Sequence, residues 1–136
     1  MSAAASEPPG SIGMDDQTYV LRPMVYVAAP YTRPDPVANT HTLVRFVDGM
    51  IDDGIVTPFA PHLTLLWHLV APRPLEFWYA YDLAVLARCD ALLRLPGESS
   101  GADREVSYAR SKGLPVFSDV AVLYEWAKSL IRTDGL

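Results

Sequence analysis

The chain has little sulphur chemistry to offer: Cys89 is its single cysteine in 136 residues. An intrachain disulfide is excluded. A zinc site is not expected either, because three scattered histidines do not complete a ligand set. Long apolar runs are missing; none reaches the roughly eighteen residues of a membrane helix. The first residues show neither the basic start nor the apolar core of a secretory leader, so a cytoplasmic protein is expected. Basic residues are also scarce. Lys and Arg number 11 against 16 Asp and Glu, a formal charge of −5. That balance argues against a nucleic-acid polymer as partner, because a phosphate backbone needs a basic surface. It leaves room for a single nucleotide held by a local arginine. The usual phosphate and nucleophile signatures are absent too: no G-x-G-x-x-G follows an early strand, no Walker-type lysine is present, and no G-x-S-x-G elbow occurs. No organic cofactor is expected.

Half the residues are apolar and a fifth are charged, which suits one globular domain with a substantial core. Residues 1–21, rich in Ser, Ala, Pro and Gly without a period, read as a disordered tail before a single domain over 22–136. From there strands and helices alternate. A strand is predicted at 24–29, and the prolines at 30, 34 and 36 forbid a helix interior after it. Val37, Leu43, Val44, Val47 and Ile51 predict a helix over 36–53, ended by Gly54. A second strand is predicted at 55–59, with Pro58 marking its end. An apolar helix at 61–70, a longer helix at 75–88 and a third strand at 90–95 follow. Then come a helix from about 102 to 111, a short strand at 114–117, and a last helix from Asp119 as N-cap to about 131. The alternation predicts an α/β fold, a flavodoxin-like (Rossmann-like) three-layer sandwich. Its parallel sheet would have four to five strands and helices on both faces.

In such a sheet the loops after the strands meet at one edge, where ligands bind. Those loops carry Tyr31, Arg33, His62, Ser99 and Ser100. Glu105 stands just inside the next helix, Tyr26 on the first strand and Asp82 on the helix before the third. Residues 99–117 are the most telling stretch, a small-residue loop, an amphipathic helix and a strand. Glu105 is expected in the first turn of that helix, where the dipole favours a carboxylate and backbone amides can hold a polar ligand. With cofactor, metal and serine chemistry set aside, carboxylates remain. A pair of them can break a glycosidic bond, one attacking the anomeric carbon and the other handling the leaving group's proton. Glu105 and Asp82 are the candidates. Each residue also has an ordinary reading. A helix Glu is most often a solvated charge, Asp82 can be a surface acid near Arg88, and Tyr26 a core tyrosine. Ser99 and Ser100 suit a turn, Arg33 an exposed loop, and His62 a buried satisfied histidine. Cys89 reads as a small buried hydrophobe, and Trp67, Trp78 and Trp126 as core or interface.

Three segments resemble the nucleoside 2-deoxyribosyltransferase-like superfamily: Val25-Tyr26-Val27-Ala28-Ala29-Pro30-Tyr31; Asp82-Leu83 followed by Cys89-Asp90-Ala91-Leu92-Leu93; and Ser99-x-Gly101-x-x-x-Glu105-x-x-x-Ala109-x-x-x-Gly113-x-Pro115-Val116. The resemblance spans about residues 24–118 and is greatest to the compact members found in bacteria and phages. It implies that Glu105 attacks C1′ of a sugar and forms a glycosyl-enzyme ester. It implies that Tyr26 orients that carboxylate by a hydrogen bond and that Asp82 meets the base and assists its protonation. Ser99 stands where the superfamily's transferases have Asp and its nucleotide hydrolases have Ser. A hydroxyl tolerates a 5′-phosphate that a carboxylate would repel. Gly101, Arg33, Tyr31, His62 and Ala28 complete the implied substrate-binding set. The implied activity is hydrolysis of the base–sugar bond of a nucleoside 5′-monophosphate, in a homodimer or higher homo-oligomer for which the apolar segment 63–81 offers a surface. A (deoxy)ribosyltransferase and a non-catalytic nucleotide-binding module on the same fold stay open beside it.

Overall fold

The first strand, β1 (Met24–Ala28), lies in the middle of the molecule. Its run of Val, Tyr, Val and Ala is fully buried rather than alternating, as expected of a parallel strand covered on both faces. A computed structural model describes residues 20–134; nearly all of the expected tail, 1–21, lies outside them. β1 pairs in parallel with β2 (Thr57–Phe59) on one side and β3 (Ala91–Arg94) on the other. β3 pairs in turn with β4 (Val116–Phe117), again in parallel. The order is β2-β1-β3-β4 in a four-stranded sheet. Tyr26 stands opposite Phe59 on one neighbour and Leu92 on the other. Pro58 is the middle residue of β2 rather than its end. The strand tolerates it because β2 is an edge. Thr57 N–H donates inward to Pro23 O at 2.9 Å, so the next nitrogen, that of Pro58, faces the open side.

Among the described residues, helices on both faces cover the sheet. The first, α1 (Pro36–Asp53), starts at Asp35, whose side chain accepts from Ala38 N, and stops at Gly54 with φ 71°. Its ends match the prediction because each is set by a local cap. A 3-10 turn (Pro61–Leu63) leads into α2 (Thr64–Val70). Then come α3 (Leu75–Leu86), α4 (Ser100–Ser111) and α5 (Val120–Asp134). α3 ends two residues before the predicted limit of 88, because Arg88 and Cys89 close turns onto Val85 O and Leu86 O. Leu43 and Met50 of α1 and Leu123 and Ala127 of α5 pack on Val25, Val27, Ala91 and Leu93. On the other face Leu86, Ala102 and Ala109 pack on Tyr26, Ala28 and Leu92. The layers follow from handedness. The chain steps from β1 one way to β2 and the opposite way to β3 and β4. Right-handed crossovers then place α1 on one face and α3 and α4 on the other. This is the flavodoxin-like three-layer arrangement, and the direction switches between β1 and β3, where such folds bind ligands.

Candidate active site

The α3–α4 face of the sheet carries an unusual polar pair. Tyr26, the third residue of β1, is wholly buried, and its hydroxyl donates to Glu105 Oε2 at 2.6 Å across 79 residues of sequence. Glu105 is 8 % exposed. Ala102, Glu105 and Ala109 are the buried positions of α4. They fall at helical spacing, and the two alanines let α4 approach the sheet closely enough for Glu105 to reach β1. Glu105 lies in the second turn of α4, not the first as the sequence suggested. The helix begins at Ser100 because Ser99 is its N-cap, the Oγ accepting from Ala102 N at 3.0 Å. The acid in the first turn is Asp103. The dipole argument therefore belongs to Asp103, and Glu105 is governed by burial and its partners.

Burial pushes the Glu105 carboxyl up to about 7, against the hydrogen bond from Tyr26 and the charges of Arg94 and Arg104, which pull it down. Asp82 is also raised to about 7, first by burial and then by the charge of Glu105. Asp82 Oδ1 is buried and has no hydrogen-bond partner. Two carboxyls thus share one region, both pushed up by burial, with the charge of Glu105 further disfavouring ionisation of Asp82. Tyr26 is raised far above the ordinary phenol range by burial and by the negative charges of Glu105 and Asp82, so it stays a donor. Tyr31 is raised by burial and by Asp82, which places its ring in the same electrostatic neighbourhood. The arrangement can hold a nucleophilic carboxylate oriented by a phenol, beside a second carboxyl able to give or take a proton.

The remaining predicted residues divide. Asn39 of α1 donates from Nδ2 to Tyr31 O at 2.9 Å and to Arg33 O at 2.8 Å, fixing the loop after β1. The Arg33 side chain is exposed. His62 is buried and its Nε2 is 2.8 Å from Pro30 O. A carbonyl only accepts, so Nε2 carries the proton. Burial lowers the histidine's proton affinity and keeps it neutral. Its ring meets Tyr31 edge-on at 4.9 Å, so His62 holds the loop that carries Tyr31. Ala28 is a core residue, wholly buried, with its carbonyl accepting from Leu95 N at 2.8 Å. Gly101 has open space around it, since an added Cβ would meet only Ser99 Oγ at 3.9 Å. Two open hollows, of about 450 Å³ beside Tyr79 and Arg104 and about 350 Å³ beside Arg94 and Ser118, are not lined by Tyr26, Asp82 or Glu105.

Sequence reasoning missed Asn39, Gly97 and Arg94. Asn39 offers no signal by type or spacing. Gly97 belongs to a Pro-Gly turn, but its close contact with Pro30, 2.7 Å from an added Cβ to Cγ, is visible only in three dimensions. Arg94 is the lone charge in the apolar run 91–95, which is a usable hint. Comparison with protein-family models gives no match, and comparison with curated proteins gives none either. Among the described residues no group of three or more His, Cys, Asp or Glu is placed to hold a metal ion, and no helix is long and apolar enough to cross a membrane.

Proposed function

We propose that this protein is an N-glycosidase of the nucleoside 2-deoxyribosyltransferase-like kind, hydrolysing the base–sugar bond of a nucleoside 5′-monophosphate. The observation that carries the reading is the buried 2.6 Å bond from Tyr26 to Glu105, with the unpartnered oxygen of Asp82 in the same electrostatic field. In the first step ionised Glu105 attacks C1′, an ester bond forms, and the C1′–N bond breaks with its electron pair leaving on the base. Protonated Asp82 supplies the proton that makes the base a neutral leaving group. In the second step water attacks C1′ and gives its proton back to Asp82, and the Glu105 ester bond breaks. The configuration at C1′ is retained. Ser99 supports a monophosphate as substrate: its Oγ accepts within the cap, which leaves the O–H free to donate to a phosphate oxygen.

The test is incubation with a panel of nucleoside monophosphates and the matching nucleosides, with chromatographic detection of free base. Wild type is expected to release base from a monophosphate, and Glu105→Ala to release none. Absence of release by wild type across all common bases would overturn the hydrolase reading. Base exchange on adding a second free base would turn it into transfer. Tight calorimetric binding of an intact nucleotide without turnover would turn it into a binding module.

The same reading includes a homodimer. α2 has no buried residue and no Asp, Glu, Lys or Arg. Leu66, Leu69 and Val70 are exposed by 71, 65 and 79 %. An apolar helix left uncovered in water is the mark of a contact surface. Light scattering is expected to give twice the chain mass, and Leu66→Glu with Val70→Glu to give one.

A further inference from the structure

The rim of the sheet at the switch point is tied together by contacts that the proposed chemistry does not use. Arg94 ends β3 with a side chain 16 % exposed. Its Nη1 donates to Leu95 O. Its Nη2 donates to Gly97 O and to Asp103 Oδ1, both at 2.9 Å. One guanidinium thus satisfies two carbonyls of the 95–99 loop and neutralises the first-turn acid of α4. A planar fork reaches acceptors in several directions at once, which a lysine ammonium on a flexible stem does not reproduce. The loop it holds is pressed against the loop after β1, with Gly97 at φ 120° lying on Pro30. Pro30 O in turn accepts from His62. The loops after β1, β2 and β3 therefore form one connected rim, and α4 starts from it. Glu105 follows Asp103 by two residues on that helix, so any slip of the helix start moves the carboxylate away from β1.

We infer that Arg94 is a positioning residue for Glu105. By tying the 95–99 loop and Asp103 to the end of β3, it fixes the start of α4 and holds the Glu105 carboxylate under the Tyr26 hydroxyl. Only the effect on turnover rests on the proposed glycosidase activity; the placement of Glu105 does not. Arg94 acts on Glu105 in a second way, since its charge draws the carboxyl's proton affinity down from where burial alone would set it.

The experiment compares full-length wild type, Arg94→Met and Arg94→Lys by carbon-13 NMR and by kinetics. The ring Cζ shift of Tyr26 reports its hydrogen bond, and the titrating carboxyl of Glu105 reports the charge. Neither needs turnover. In Arg94→Met both signals are expected to move, with the Glu105 midpoint shifting upward by about a unit, tenfold in proton affinity. kcat for the monophosphate is expected to fall about a hundredfold, the size of effect that a misplaced reacting group produces, with KM nearly unchanged. Arg94→Lys keeps the charge, so it is expected to restore the Glu105 midpoint while the Tyr26 shift and kcat stay perturbed. Should Arg94→Met fail to fold, Arg94→Gln carries the same readouts. Tyr26 and Glu105 signals identical to wild type in a folded Arg94 variant would overturn the inference. Perturbed signals in a protein whose wild type turns over no nucleotide would uphold the positioning role and overturn the glycosidase reading instead.

Discussion

Tyr26→Phe removes one oxygen atom from the wholly buried core and leaves the ring in place. The hydroxyl lost is the donor 2.6 Å from Glu105 Oε2. A hydrogen bond to a charged group contributes about 1.5–3 kcal/mol. Most of that favours ionised over neutral Glu105, and each 1.36 kcal/mol is one pKa unit. The Glu105 carboxyl, already at about 7, is therefore expected to rise by about one to two units. At neutral pH the ionised fraction then drops from about half to about 1–10 %. The rate at pH 7 is expected to fall by about five- to fiftyfold from the protonation state alone, and raising the pH does not restore it, because Asp82 must keep its proton to serve the leaving base. Stability responds in a defined direction. Glu105 binds its proton more tightly folded than unfolded, so its contribution is fully present below the unfolded carboxylate range. It is lost as pH rises through the folded value. In wild type that decline ends near pH 7; in Tyr26→Phe it continues to higher pH. The assays are carbon-13 titration of the Glu105 carboxyl between about pH 5 and 9 and urea unfolding over the same range. A Glu105 midpoint at the wild-type position, together with an unfolding profile parallel to wild type above pH 7, would refute the coupling between Tyr26 and Glu105.

Asp82→Asn removes a carboxyl that is raised to about 7 and has a buried oxygen without a partner. Wild type loses stability as pH climbs from the ordinary aspartate range through that value, so Asp82→Asn is expected to gain relative stability at pH 8 over pH 4 in denaturant unfolding, with base release reduced. Gly97→Ala places a Cβ 2.7 Å from Pro30 Cγ at φ 120°. Strain of about 1–3 kcal/mol is expected, read as a lower urea midpoint and reduced turnover, since the rim of the site moves. Leu43→Ala empties a side chain only 1 % exposed on the opposite face of the sheet. It is expected to cost about 2–5 kcal/mol while leaving kcat of the folded fraction unchanged; a change in kcat would show that the two faces are coupled.

Much of the fold is legible residue by residue. Periodicity over 36–53 and Gly54 announce α1, because a C-cap acts within one turn. Pro58 misleads, since a proline's cost in a strand depends on whether that strand is an edge, and edges are set by pairing with β1. The helix predicted from about 102 starts at Ser100, because Ser99, a turn residue by type, caps it through the Oγ bond from Ala102 N. The resemblance implies Tyr26 and Glu105 as partners, and their hydroxyl and carboxylate lie 2.6 Å apart. The burial of Ala28 follows from its place on a central strand covered on both faces.

The sequence by itself determined the α/β alternation, the Gly54 stop of α1 and the set of carboxylates available for chemistry. Those are properties of periodicity and short-range bonding, which a chain displays before it folds. Tertiary structure alone decided which face of β1 meets α4 and that Arg94 closes the rim at Leu95, Gly97 and Asp103. It alone decided that Asp82 keeps an oxygen without a partner. The proton affinities of Glu105 and Asp82 are of the same kind. They depend on exclusion of water and on charges brought close from distant parts of the chain, and neither exists until β1, α3 and α4 are packed together.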